Sequence, residues 1–279
     1  MSSTRDTPRL VELGLLLAKL RKAAGLDQRE AAEPLGRASS HISRWENAKL
    51  RPEEEELADY LRMLGATSEQ TVLALKLWRD AADPNFLTPG IGREYAVVTE
   101  YERLAEHITN FQPTMIPGPL QTWAYARSVI AAAGATSEQQ VEDWTNVRMK
   151  RREAVLAGPV RYEAIIGEHA LRYPACSREI AIPQLHDLMQ TAELPHMTIR
   201  VLRFGFGYDP GREGSFVLIE GDESKPVVHL EQYRSASTLT NARDVKDYTD
   251  AAERLRRASM SPVAAVKLIG EIVDEMERT

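Results

Sequence analysis

Apolar residues fall three or four apart from the start of the chain. Leu10, Leu13, Leu17, Leu20 and Ala24 share one face of a helix that Gly25 can close. Asp27 followed three residues on by Glu30 forms a capping box, so a second helix is predicted from Gln28 to Leu35. Gly36 supplies a tight turn. A third short helix, Ser39 to Asn47, then buries Ile42 and Trp45 while Ser40, His41, Ser43 and Arg44 point elsewhere. Pro52 and the acidic run Glu53–Glu56 open a fourth helix, because carboxylates suit a positive helix N-terminus; its stripe is Leu57, Tyr60 or Leu61, and Leu64. A fifth, Ser68 to Ala82, carries Val72, Leu75 and Trp78.

The stretch Asp83-Pro84-Asn85-Phe86-Leu87-Thr88-Pro89-Gly90 breaks this rhythm with two prolines and a glycine, and reads as a linker. The pattern therefore predicts an N-terminal domain over 1–83, a linker over 84–97 and a second domain over 98–279. In the latter, Val98, Tyr101, Leu104, Ala105 and Ile108 are spaced as on a helix, as are Gln121 to Ala133 and Glu138 to Leu156. Alternation follows. Val160, Tyr162, Ala164 and Ile166 share one face of a strand, and Met197, Ile199 and Val201 another. Ser215–Glu220 and Pro226–Glu231 predict two more strands, with Gly221-Asp222 between them as a hairpin signal. Val245, Tyr248, Ala252 and Leu255, then Val263, Val266, Ile269 and Val273, return to the helical period. The fold class expected is an all-α N-terminal domain of five helices followed by a larger α+β domain with a small sheet.

Composition narrows this picture little. A length of 279 residues suits two domains, and 43% hydrophobic with 27% charged residues excludes a disordered, collagen-like or coiled-coil chain. The single cysteine, Cys176, forms neither an intrachain disulfide nor a thiolate zinc cluster, which fits a reducing compartment. No apolar run is long enough for a membrane span, and the start Met1-Ser2-Ser3-Thr4-Arg5 lacks the apolar core of a signal peptide; a cytoplasmic protein is expected. Charge changes the picture more. From Arg5 to Pro52 ten basic residues face six acidic ones, which is +4, and the rest of a chain of net charge -6 therefore carries -10. A basic head on an acidic body keeps an electrostatic route to phosphate open.

In that head a small residue, Ala32, sits where two helices must approach, Gly36 where the chain must bend, and Ile42 and Trp45 where the next helix must anchor. These are the needs of a helix-turn-helix, whose second helix enters the major groove. Leu20-Arg21, Gly25-Leu26-Asp27-Gln28, Leu35-Gly36 and Ile42-Ser43-Arg44-Trp45-Glu46-Asn47 resemble, over about 55 residues, the Cro and phage-repressor type of regulator, the xenobiotic-response-element class. The resemblance implies double-stranded DNA as the partner and roles by position. Gln28 would bind phosphate. Ser39, Ser40 and Arg44 would face base edges, with His41 and Ser43 beside them; Asn47, Lys49 and Arg51 would contact phosphates. Arg21 and Glu46 match positions that pair across that fold. Two features depart from the pattern: Pro34 falls inside the second helix, and Ala38 stands at the usual Ser or Thr cap of the third, where Ser39 could cap instead and be lost to base contact.

Met115-Ile116-Pro117-Gly118-Pro119-Leu120-Gln121-Thr122, Tyr125-Ala126-Arg127, Arg148 to Arg152, Glu168-His169-Ala170-Leu171-Arg172 and Gln184-Leu185 resemble a domain of unknown function found behind such heads in actinobacterial regulators, the WhiJ-like group. This resemblance implies an antitoxin-like regulator working with a small partner protein encoded nearby. Two readings follow. One is a sequence-specific transcription regulator, a homodimer on paired half-sites, whose second domain senses a partner or an effector. The other is an interaction module that neutralises a small partner and binds DNA for autoregulation. An apolar pocket at Trp123, Trp144 or Phe206 would make the second domain a ligand sensor. Catalysis is not expected: Glu168 with His169 and His229 with Glu231 are placed on strands whose neighbours face opposite ways, and no H-E-x-x-H, G-x-S-x-G or phosphate loop occurs. Neither a metal nor a cofactor is expected. Gly205, Gly207, Gly211 and Gly214, with Phe204, Phe206 and Tyr208, read as a mobile loop between strands.

Overall fold

The computed structural model describes residues 8–82, 98, 101–134, 137–203, 205, 209–221, 226–232 and 235–278. The expected linker lies outside these residues, as do Phe204 and 206–208 of the glycine-rich loop. Contacts divide the chain into two compact units, Met1–Leu104 and Ala105–Thr279.

The first unit is helical: α1 (Pro8–Ala23), α2 (Gln28–Ala32), α3 (Ser39–Glu46), α4 (Glu54–Met63) and α5 (Ser68–Ala82). Leu10, Leu13, Leu17 and Leu20 of α1 bury against Ile42 and Trp45 of α3 and Leu57, Tyr60 and Leu61 of α4. Each such side chain contributes about 1.5–3 kcal/mol on burial. Packing, not propensity, is what holds a helix as short as the five residues of α2.

Two expectations need correction. The second helix stops at Ala32 rather than Leu35, and Glu33–Leu35 tightens into a 3-10 turn with Pro34 in its first positions, where a missing amide forfeits no bond. Gly36 follows at φ 63°, and the amides of Gly36 and Arg37 donate to Glu33 O at 3.0 Å and Ala32 O at 3.1 Å. On α5, Leu75 and Trp78 pack partly buried against the core as expected, beside buried Ala74, Leu77 and Ala81, whereas Val72, expected on the same stripe, is 68% exposed.

The second unit contains a six-stranded mixed sheet of order β3-β2-β1-β4-β5-β6, made from β1 (His107–Gln112), β2 (Arg161–Gly167), β3 (Met197–Leu202), β4 (Phe216–Glu220), β5 (Val227–Gln232) and β6 (Ser235–Leu239). β1, β2 and β3 run parallel, and β4, β5 and β6 add antiparallel neighbours. Helices α6 (Trp123–Ala132) and α7 (Glu138–Ala157) join β1 to β2; α8 (Glu168–Arg172) and α9 (Arg178–Thr191) join β2 to β3. The chain ends in α10 (Ala242–Ala258) and α11 (Pro262–Arg278). The sheet gained two strands over expectation. Ile108, expected on a helix with Val98 and Tyr101, lies on β1, and β6 was not foreseen. Val263, expected on the apolar stripe of α11, is 83% exposed; Ala265, Leu268, Ile269, Ile272 and Val273 form that stripe.

Gly14 sets the spacing of α1 and α3. A Cβ there would lie 2.5 Å from Glu46 O and 2.8 Å from Trp45 O, both backbone atoms. A Gly14→Ala substitution gains about 1 kcal/mol of helix propensity, yet must push two backbones apart, at a typical overpacking cost of about 1–3 kcal/mol and more against atoms that cannot rotate away. Net destabilisation of the first unit by about 1–2 kcal/mol is expected, read as a lowered denaturation midpoint in the Trp45 and Trp78 signals. Unchanged or raised stability would show that the two helices are free to separate.

Candidate nucleic-acid interface

The site is built on α2, the turn after it and α3. Asp27 caps α2: its carboxylate accepts from the amides of Arg29 (2.7 Å) and Glu30 (2.8 Å), while Glu30 Oε2 accepts from the Asp27 amide at 2.7 Å. These amides hold the Asp27 carboxyl below its usual range, the Glu30 amide contributing most. Ala31 and Ala32 are buried and let α2 approach α3 closely. On α3, Ile42 is 0% and Trp45 1% exposed, with Trp45 edge-on to both Tyr60 (5.6 Å) and His41 (5.8 Å).

Ser39, Ser40 and Arg44 are thereby turned to solvent, and His41 and Ser43 lie half-buried beside them. Arg44 has no side-chain partner among the described residues. Ala38 is the cap of α3 and offers no side-chain acceptor; Ser39 is the first helical residue rather than the cap, which leaves its hydroxyl exposed. Asn47 ends the helix, its amide nitrogen donating to Ser43 O at 2.7 Å. Ala48 then adopts φ 56°, a left-handed conformation that ordinarily favours glycine, and the amide of exposed Lys49 donates to Arg44 O at 2.8 Å.

Arg21 and Glu46 pair as the resemblance implies, with Arg21 Nε 2.6 Å from Oε1 and its NH2 nitrogen 3.0 Å from Oε2. Both side chains are largely buried, and the carboxylate holds the Arg21 guanidinium above its ordinary value against the opposing effect of burial. Gln28 joins them: its Nε2 donates to Glu46 Oε2 at 2.7 Å, so the side chain expected on phosphate is fixed to α3. Arg51 is likewise held within the protein. Its guanidinium stacks 3.8 Å from the Trp78 ring, Nε donates to Trp78 O at 3.1 Å, and burial lowers its pKa. Two residues that spacing did not single out flank the exposed face. Arg29 is exposed on α2, and Arg37 is exposed at the turn with its Nε on Glu56 Oε1 at 2.8 Å. Their signal was the charge count rather than any motif.

The acid and base residues of the second unit are placed otherwise than expected. Glu168 and His169 lie on the short helix α8, where Glu168 accepts from Arg172 at 2.7 Å. His229 and Glu231 are two apart on β5, hence on one face, with Nε2 3.6 Å from Oε1. Trp123, proposed as a pocket wall, is 46% exposed beside Arg127. Among the described residues no His, Cys, Asp or Glu group of three is placed to hold a metal ion, and no helix is long and apolar enough to cross a membrane.

A family model described as a helix-turn-helix domain matches residues 12–75, and one described as a domain of unknown function (DUF5753) matches residues 95–271. No curated protein and no solved structure matches the chain.

Because removing one member of a buried pair strands the other, Glu46→Ala and Arg21→Ala are each expected to cost about 3–5 kcal/mol. The double variant should cost clearly less than the two together. Additive losses in a denaturant double-mutant cycle would mean that the pair carries no coupling.

Proposed function

We propose that this chain, which belongs to the family of the domain of unknown function DUF5753, is a sequence-specific DNA-binding transcription regulator whose second unit receives a signal. The observation that carries the reading is the division of α3: Ile42 and Trp45 hold it from within, and Ser39, Ser40 and Arg44 stand free on its outer side. A guanidinium at such a position can donate two hydrogen bonds to guanine O6 and N7. The uncapped N-terminus of α3 and the exposed Arg29, Asn47 and Lys49 supply contacts for phosphate oxygens on either side. Phosphate therefore positions the head, and α3 reads the sequence.

Binding through these contacts releases counterions, so affinity should fall steeply with salt. One head covers a short half-site; a homodimer on two half-sites about 34–36 Å apart, one turn of the duplex, supplies the discrimination a single head lacks. Selection from random duplexes followed by gel shifts tests this. Enrichment of a paired motif supports it, and equal retention of all sequences at every salt concentration would sink it. Within the enriched site, Arg44→Ala should cost about 1–3 kcal/mol and relax preference at one base pair. Gln28→Ala, which loosens α2 from Glu46, should weaken all sequences alike. If the two variants lose affinity uniformly and equally, Arg44 is not a reading residue.

A further inference from the structure

The sheet of the second unit has two edges, β3 and β6, and the chain treats them differently. An edge strand carries a row of backbone N–H and C=O groups with no neighbour, and proteins ordinarily blunt such a row by covering it or with charges, prolines or bulges. At the β3 edge the row is closed by the chain itself. The Met197 amide donates to Leu194 O at 3.0 Å, and the Met260 amide donates to Val201 O at 2.9 Å. α11 packs on the same strand.

The β6 edge has none of this among the described residues. β6 pairs with β5 in unbroken register, from Gln232↔Ser235 to Val228↔Leu239, so no bulge bends it. No backbone hydrogen bond joins Ser235–Leu239 to an element other than β5. The strand, Ser-Ala-Ser-Thr-Leu, holds neither a charge nor a proline. Ser237 is exposed, and Ala236, Thr238 and Leu239 are only half-buried, so both faces stay accessible.

The same residues point to the occupant. A second copy approaching about a two-fold axis lays β6 antiparallel to β6, so that the outward N–H and C=O groups of each strand meet those of the other and one patch serves both copies. Any charge near that axis would meet its own kind, at a cost in stability. β6 has none to meet, a restriction that a segment of another protein would not impose.

We propose that β6 pairs with β6 of a second copy, which joins two six-stranded sheets into one continuous sheet. This pairing gives the homodimer of the proposed function its interface, and rests on that reading for its purpose. Sedimentation of the full chain without DNA, over a wide range of concentration, tests it. A reversible equilibrium of monomer and dimer is expected, with amides in Ser235–Leu239 that exchange more slowly with solvent as the dimer forms. Ser237→Lys, at an exposed position, sets like charges near the axis and should raise the dissociation constant about tenfold or more. Val72→Lys, on the exposed side of α5, should leave it unchanged. A chain that is monomeric at every concentration, a dimer that Ser237→Lys does not weaken, or one that Val72→Lys dissociates instead, overturns the pairing. If Ser237→Lys fails to fold, the unaltered chain decides: β6 amides whose exchange ignores concentration overturn it as well. Because no DNA is present, an absent dimer leaves base reading by Arg44 untouched, and duplexes retained without preference leave the dimer untouched.

Discussion

The carboxylate of Glu46, in the last turn of α3, accepts from Arg21 on α1 and Gln28 on α2, so a single anion ties three helices together. Hydrophobic burial alone would not fix their geometry, since apolar contacts are non-directional and tolerate rotation of one helix on another. A bidentate pair does not. The same turn of α3 rests its backbone on Gly14, where no side chain intervenes. α3 is therefore set in height by a close backbone approach and in rotation by Glu46, and the direction in which Arg44 points follows from both. A head that reads base edges has to hold such a helix to a fraction of an ångström, because hydrogen bonds weaken quickly with misalignment.

A different constraint organises the second unit. Its three parallel strands must be covered, and α10 covers the apolar half of one face with Val245, Ala252 and Leu255 and reaches the charged half through Arg256, which donates to Glu163. The other half keeps its charges in a cavity where each carboxylate is answered. Burial pushes the Glu163 carboxyl up, but Arg256 and Arg200 outweigh it and leave it below its ordinary value; beside His107, Glu220 is also lowered. Both remain charged under neutral conditions, so the cluster is an ionic surface inside a hydrophobic frame.

How far the sequence disclosed this differs from one element to the next. The first unit was legible because leucines at helical spacing, a capping box at Asp27 and glycines at the turns all agree, and agreement between levels is what makes a pattern readable. Pro34 misled only about where α2 ends, and Val72 only about where the inner stripe of α5 begins, since Leu75 and Trp78 pack on the core beside Leu77 while Val72 and Leu73 in the first turns are exposed. β1 was hidden because its buried residues include Thr109 and Asn110, which carry no apolar alternation, and because Ile108 continues the spacing of the helix before it. β6, Ser-Ala-Ser-Thr-Leu, is an edge strand paired on one side, and such strands need little apolar patterning. The charged cavity draws on residues far apart in sequence and has no local motif at all.

The two arginines placed on DNA by resemblance show why residue type and position do not settle a role. Arg51 spends its guanidinium on the face of Trp78 and on the Trp78 carbonyl, and Trp78 Nε1 in turn donates to Pro52 O at 2.7 Å, so this arginine joins the loop before α4 to α5. Desolvation by these neighbours lowers its pKa. Arg44 has neither a ring beneath it nor a carbonyl beside it among the described residues. Its full set of donors is still unspent, and the energy of pairing them becomes available only when an outside acceptor arrives. Changing Arg51 therefore disturbs the packing of α4 on α5, while changing Arg44 leaves every contact among the described side chains in place, so on the proposed function only the second change would act directly on DNA.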